Sequence, residues 1–238
     1  MIDVRPFNTL GHAEFGWLDA HHHFSFGQYM DQSRMGWGAL RVWNDDTISP
    51  FTGFDPHGHR DMEIVTYVRK GAITHTDRLG NVGRTEAGDV QVMSAGKGIV
   101  HSEYNQEPDD TQIFQIWIMP NKRHAEPYWE ARNFPKDRTG KLTVLASGRP
   151  DDKDALPINQ DAAVMGGSFK AGDSTTYDLG KGRYLYLVST DGKIEVNGTQ
   201  AGSRDGVAIA ETDSVTITAL EDTEIVLVDA PGLDAVAA

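Results

Sequence analysis

The stretch FDPHGHRDMEIVTYVRKG, residues 54–71, places two histidines two positions apart, shortly before a run of β-forming residues. In a strand, side chains at i and i+2 point to the same face, whereas in a helix they diverge by about 200°. His57 and His59 therefore converge only if the segment is extended. The same period carries Asp61 and Glu63 to that face, although a bulge or turn after His59 would move Asp61 away. The stretch predicts a strand that presents metal-ligating side chains at the wall of a small barrel.

The rest of the chain repeats a pattern of strands and turns. β-branched and aromatic runs end at Gly, Pro, Asn or Asp, as in ALRVWNDD and TQIFQIWIMP, and the pattern resumes after residue 140 with RYLYLVSTDG. STDGKIEVNGTQ contains Asp-Gly and Asn-Gly, which are strong hairpin signals. No long window has an apolar period of 3.6, so we expect few and short helices. Short strands at roughly 8–12-residue spacing predict an all-β protein built from barrels or sandwiches.

The segment 121–140 interrupts this pattern with charges and two prolines, which is typical of a linker. All nine histidines lie at or before His124, and all five tryptophans lie at or before Trp129. The sequence therefore predicts an N-terminal domain, residues 1–130, that carries any histidine chemistry. The C-terminal domain, residues 131–238, is expected to be structural or to contribute a wall to the site.

Composition excludes several classes of function. The 238 residues include no cysteine, which excludes disulfides, thiol catalysis and Cys-ligated metal sites. The net charge of −13 is evenly spread, so most of the surface would repel nucleic acid. No run approaches the ~20 apolar residues of a membrane helix, and the N-terminus lacks the plan of a secretory signal. We expect a cytoplasmic protein without nucleic-acid or membrane partners, while a protein partner stays open.

A second cluster, GDVQVMSAGKGIVHSEYN (residues 88–105), repeats the spacing of two at His101 and Glu103. The two clusters together could surround one ion with His57, His59, His101 and Glu103. Three imidazoles and one carboxylate suit iron, manganese, cobalt, nickel, copper or zinc, whereas calcium and magnesium prefer oxygen ligands. Three roles are open to Glu63: a further ligand, a core carboxylate paired with Arg or Lys, or an acceptor that fixes a ligating imidazole. We favour the acceptor.

The remaining histidines and aromatic residues have simpler interpretations. The run His21–His23 is expected to be exposed or to line a gate rather than to bind a separate metal. His12 and His75 are expected to be structural. Five aromatic residues could floor a pocket for a flat ligand, but core packing is the favoured interpretation; they are Phe24, Phe26, Trp37, Trp43 and Trp117.

Longer strings carry a family resemblance. HGHRDMEIVTYV, MSAGKGIVHSEYN, QIWIMP and GWLDAHHHFSFGQY resemble blocks of the pirin family, above all its bacterial pirin-like quercetin 2,3-dioxygenases, and the resemblance spans most of the chain. Gly96 stands where the second cupin motif usually has proline. The resemblance implies a bicupin, two antiparallel jelly-roll β-barrels of which only the first binds metal. It places the ligands on His57, His59, His101 and Glu103, and it implies Fe(II) first, with Mn, Co, Ni, Cu or Zn as other options.

The resemblance also implies an activity. A flavonol such as quercetin would be cleaved with dioxygen, releasing carbon monoxide and a depside. Glu103 would be the catalytic base that accepts the proton of the 3-hydroxyl group. The alternative comes from eukaryotic pirins, which are described as iron-dependent partners of transcription factors. In that case the chain would be a non-catalytic, regulatory protein-interaction module.

Overall fold

The structure, a computed structural model, describes residues 1–134, 136–137 and 139–237. Within these ranges the chain forms strands and no α-helix, which confirms the predicted all-β class. No helix among the described residues is long and apolar enough to cross a membrane. Residues 135 and 138 of the predicted linker and residue 238 of the predicted C-terminal domain lie outside the described residues. Three short 3₁₀ segments interrupt the strands, at Phe7–Thr9, Gln32–Arg34 and Leu233–Ala235.

The first part of the chain contributes two facing sheets. Its strands are β1 (Ile2–Arg5), β2 (Gly11–Glu14), β3 (Leu18–His22), β4 (Leu40–Ile48), β5 (Gly53–His59), β6 (Glu63–Lys70), β7 (Ala72–Asp77), β8 (Val82–Glu86), β9 (Val90–Ser94), β10 (Ile99–Tyr104), β11 (Thr111–Ile118) and β12 (Tyr128–Arg132). A seven-stranded sheet has the order β12-β9-β6-β11-β4-β3-β2, and a four-stranded sheet has the order β5-β10-β7-β8. The pairings leave two open sheets of a jelly roll rather than one closed barrel.

The second part repeats this plan. Its strands are β13 (Thr143–Ser147), β14 (Leu156–Pro157), β15 (Ala163–Phe169), β16 (Ser174–Asp178), β17 (Tyr184–Ser189), β18 (Ile194–Val196), β19 (Thr199–Ala201), β20 (Gly206–Ala210), β21 (Ser214–Ala219) and β22 (Thr223–Ala230). They form the sheets β1-β20-β17-β22-β15-β13-β14 and β16-β21-β18-β19.

Two pairings involve the strands at the two ends of the first part of the chain. Strand β1 pairs with β20, so the first residues of the chain complete the second large sheet. Strand β12 lies inside the predicted linker, where it pairs with β9, because Tyr128–Arg132 offers an aromatic, half-buried strand despite its charges. The domain boundary between residues 130 and 131 stays a prediction.

The outer face of the first seven-stranded sheet is apolar and packs against the second large sheet. Trp43, Val65 and Phe114 belong to one buried cluster with Tyr186 and Val226 of the second half. Fully burying side chains of this kind contributes roughly 1.5–3 kcal/mol each. The two halves are therefore held together by a continuous hydrophobic layer.

The inner face of that sheet carries a line of polar side chains. Cross-strand register joins neighbours on β3, β4, β11, β6 and β9. All five side chains are buried; they are His22, Asn44, Gln115, Thr66 and Gln91. Buried polar residues are uncommon unless their hydrogen bonds are satisfied. This polar row faces the four-stranded sheet, and it positions the site described next.

Candidate metal centre

Three predicted imidazoles meet at the antiparallel pair β5 and β10. His101 lies directly opposite His57 in the register. The ring centroids of His57, His59 and His101 are 4.5 to 5.0 Å apart, and one ligand nitrogen from each lies within 4.8 Å of the other two. The extended conformation predicted for the histidine pair is therefore present.

Hydrogen bonding indicates which nitrogen His57 and His101 offer to a metal. His57 Nδ1 donates to the backbone oxygen of Asp55 at 2.7 Å, which leaves the Nε2 lone pair free. His101 Nε2 is buried and has no hydrogen-bond partner among the described residues. A buried nitrogen without a partner is costly, and a metal ion at this point would satisfy it. The residues present therefore fit a bound metal.

A buried chain of side chains orients His101. Asp77 Oδ2 accepts from His75 Nε2 at 2.9 Å, so His75 Nδ1 is left as an acceptor. His101 Nδ1 lies 3.3 Å from that atom and is therefore the donor. This relay of Asp77, His75 and His101 leaves the lone pair of His101 on Nε2. Such partners orient ligating histidines and raise their basicity.

Burial keeps His59 and His101 neutral. Desolvation lowers the pKa of His59 to about 4. Desolvation, followed by the neighbouring His57 and His59, lowers the pKa of His101 to about 2. Neutral imidazoles are the form that binds metal. Near neutral pH these two side chains are ready to act as ligands without losing a proton.

Glu103 lies beneath the imidazoles and above the polar row. Gln91 Nε2 donates to its Oε1 at 2.6 Å, and Gln115 Nε2 donates to its Oε2 at 2.8 Å. The indole N–H groups of Trp129 and Trp117 donate to the oxygens of these two amides, which turns both NH₂ groups toward the carboxylate. Burial nevertheless raises the pKa of Glu103 to about 7, against the opposing effect of the hydrogen bonds.

The carboxylate is closer to one side of the cluster than to the other. Ligand atoms of Glu103, His75 and His101 lie within 4.8 Å of one another, whereas Glu103 does not join the group of His57, His59 and His101. Histidines at 57, 59 and 101 therefore converge, and Glu103 approaches them from the His101 side. The assignment of all four as ligands of one metal stays a prediction.

Glu63 lies elsewhere because the chain changes sheets after His59. Asp61 has a φ of +48° in the turn between β5 and β6, so the period of two ends at His59. Glu63 begins β6 on the outer face, where Ser94 Oγ donates to it at 2.8 Å and Asn159 Nδ2 at 3.3 Å. Asp61 instead accepts from the backbone N–H of His124. The proposed role of Glu63 at the metal stays a prediction.

Sequence reasoning missed the relay. His75 was expected to be structural, yet its imidazole contacts His101 and stacks on Trp129 at 4.8 Å between centroids. The signal was present in THTD, because a strand places His75 and Asp77 on one face. His23 also differs from expectation, since it is fully buried against Tyr186 of the second half rather than exposed or at a gate.

Comparison with known proteins identifies the family. The pirin family model matches residues 3–118, and the model described as the quercetinase C-terminal cupin domain matches residues 144–230. A pirin-like protein of Caulobacter vibrioides is 62% identical over 97% of this chain and all of that protein. The chain belongs to the pirin family. The quercetin 2,3-dioxygenase of Escherichia coli K12 is 40% identical to this pirin over 97% of the chain and 99% of the enzyme.

Solved structures agree with this assignment. YhhW from Escherichia coli matches this pirin with a TM-score of 0.92 at 38% identity, covering 98% of each chain. The predicted bicupin fold is thereby confirmed. A structure of the same bacterial pirin in complex with nickel(II) has a TM-score of 0.91 at 38% identity and covers 98% of this chain and 100% of that one. That relative binds a divalent metal on the same fold.

Proposed function

We propose that this pirin holds one divalent transition metal between His57, His59, His101 and Glu103 and cleaves flavonols such as quercetin with dioxygen. The buried, unpartnered Nε2 of His101 beside two further imidazoles is the observation that carries the proposal. Support comes from the quercetin 2,3-dioxygenase name of a 40% identical relative. Our preferred metal is Fe(II), and a nickel complex of a relative shows that other divalent ions fit this fold.

The protein's own contribution centres on Glu103. A carboxyl group with a pKa of about 7 is partly ionised near neutral pH, which suits a general base. Gln91 and Gln115 hold its two oxygens in place, so the proton of the flavonol 3-hydroxyl would be delivered to a fixed position. The metal, when bound, would supply Lewis-acid stabilisation of the substrate oxyanion. If the metal were bound, Glu103 would be a weaker ligand while it carries the proton, because metal and proton compete for the carboxylate.

The test is an oxygen-pulse assay. When the protein is loaded with Fe(II) and mixed with quercetin without oxygen, the flavonol absorbance should be constant in time after mixing until oxygen is admitted. Absorbance should then fall with release of carbon monoxide. His101→Ala should abolish this reaction, whereas His124→Ala, which removes an exposed histidine, should retain it. Absence of turnover with every one of Fe, Mn, Co, Ni, Cu and Zn would refute the enzyme and favour a non-catalytic metal-binding module.

A further inference from the structure

A cavity of about 610 Å³ opens inside the first jelly roll, beside Gln115 of the polar row. Its volume is within the range of roughly 300–1,000 Å³ typical of sites for small organic ligands. Five aromatic side chains line it: Phe15, Trp17, Phe26, Tyr29 and Phe54. Phe26 was expected to be a core residue, and it lies here instead, whereas Phe24 and Trp43 are fully buried in the core as expected.

The polar row joins this cavity to the candidate metal centre. His22, Asn44 and Gln115 line the cavity as consecutive members of the row. Gln115 also donates to Glu103 Oε2 at 2.8 Å, so its amide contacts both the cavity and the carboxylate of the candidate metal centre. The ring of Phe54, on the cavity wall, lies 6.3 Å from that of His57. A ligand in the cavity would therefore lie one side chain away from Glu103.

The cavity lining favours a flat, uncharged ligand. Aromatic faces stack on planar rings. The acidic residues that line it are Glu14 and Asp46, and no lysine or arginine is among the described lining residues. An anionic ligand would find no cation to pair with here.

Asp46 is the unexplained group in this wall. Its side chain is 2% exposed, and its Oδ1 has no hydrogen-bond partner among the described residues. Burial, with the nearby Asp45 and Glu103, raises its pKa well above the usual range, which favours the protonated form of the group. An unsatisfied buried polar group lowers stability. The fold therefore keeps a costly group at a cavity wall, which is typical of a binding site.

We propose that this cavity binds the ring system of the substrate and that Asp46 hydrogen-bonds a hydroxyl or carbonyl oxygen of that ligand, selecting hydroxylated aromatic molecules over apolar ones. The identity of the ligand rests on the proposed function. The site itself rests on the cavity, on its aromatic and cation-free lining, and on the unpartnered Oδ1 of Asp46.

The test measures binding without turnover. Quercetin and flavone, its analogue without hydroxyl groups, are titrated anaerobically into metal-free protein and followed by ligand absorbance. Wild type should prefer quercetin, and Asp46→Leu should weaken quercetin binding at least about tenfold, the loss expected for a buried hydrogen bond, while flavone binding is unchanged or tighter. Asp46→Leu should also raise the thermal midpoint, because it removes an unsatisfied buried group. Asp110→Asn, which changes an exposed acid outside the residues that line this cavity, should alter neither quantity.

The outcomes separate this inference from the enzyme proposal. Unchanged quercetin affinity in Asp46→Leu, or a lower thermal midpoint together with equal losses for both ligands, would overturn the role of Asp46. Quercetin binding that appears only after metal loading would place the ligand on the metal and overturn the cavity assignment. Neither result requires or excludes turnover. Conversely, a preference for quercetin in metal-free protein stands even if the oxygen-pulse assay shows no reaction.

Discussion

Asp77→Asn should weaken metal binding although Asp77 is not a proposed ligand; it lies on β7, opposite His101 of β10 in the register. The backbone N–H groups of Leu79 and Asn81 donate to Asp77 Oδ1, so they would hold the oxygen of the new amide at that place. Its NH₂ group would then face His75 Nε2, which must become an acceptor. The proton of His75 would move to Nδ1, and His101 would be forced to carry its own proton on Nε2, the atom that faces His57 and His59.

The size of the effect follows from the relay. Both of its hydrogen bonds, at 2.9 Å and 3.3 Å, must reverse direction or break. Loss of such an outer partner typically lowers metal affinity by roughly 10–100-fold. That range corresponds to about 1.4–2.7 kcal/mol. The fold should survive, because the substitution preserves shape and keeps the Oδ1 hydrogen bonds.

The assay is competition for nickel(II) between the protein and a chelator of known affinity. Asp110→Asn is the matched control, since it removes the same charge from an exposed position, and its nickel affinity should equal that of wild type. Cobalt(II) absorption supplies a second measurement, because a changed ligand nitrogen alters its visible bands. A nickel affinity for Asp77→Asn within twofold of wild type, with an unchanged cobalt spectrum, would refute the tautomer argument.

Three further predictions follow from the same geometry. Glu103, with a pKa of about 7, must lose its proton to bind metal, so its contribution should make the nickel association constant rise with pH up to about 7 and level off above it. Glu103→Gln should lower this constant. Below pH 7 it should also reduce the slope of the logarithm of the constant against pH by about one. Gln115→Leu removes a donor to the carboxylate, so the pH at which the constant levels should move upward, as competition titrations would reveal. Gly53→Ala would place a Cβ 2.2 Å from the Glu103 backbone oxygen and should cost about 1–3 kcal/mol of stability, visible as a lower thermal midpoint. The control is Gly58→Ala on the same strand, where the nearest atom to an added Cβ is 3.8 Å away, and it should change the thermal midpoint much less.

Side-chain periodicity was sufficient to predict the parts of the candidate site that lie within one or two strands. The period of two brought His57 and His59 together, and the same period placed His101 and Glu103 on one face of β10. The absence of an apolar period of 3.6 gave the all-β class. The restriction of histidine to the first half matches the half in which all three imidazoles converge.

Sequence reasoning did not reveal which side chains from distant strands meet. The polar row depends on the registers of five strands, which no local pattern reveals. The turn at Asp61 reverses the chain and moves Glu63 to the other sheet. His75 was assigned a structural role because its partner His101 lies on another strand. That strand, β10, pairs with β7 in a register that sets Glu103 opposite His75.

X-ray absorption at the metal edge of the loaded protein tests the central claim most directly. Convergence of His57, His59, His101 and Glu103 predicts a shell of three imidazole nitrogens and one carboxylate oxygen at about 2.0–2.2 Å for a metal such as zinc. The imidazole scattering should fall from three rings to two in His101→Ala. A shell with fewer than three imidazoles in the wild type, or one that His101→Ala leaves unchanged, would contradict the account.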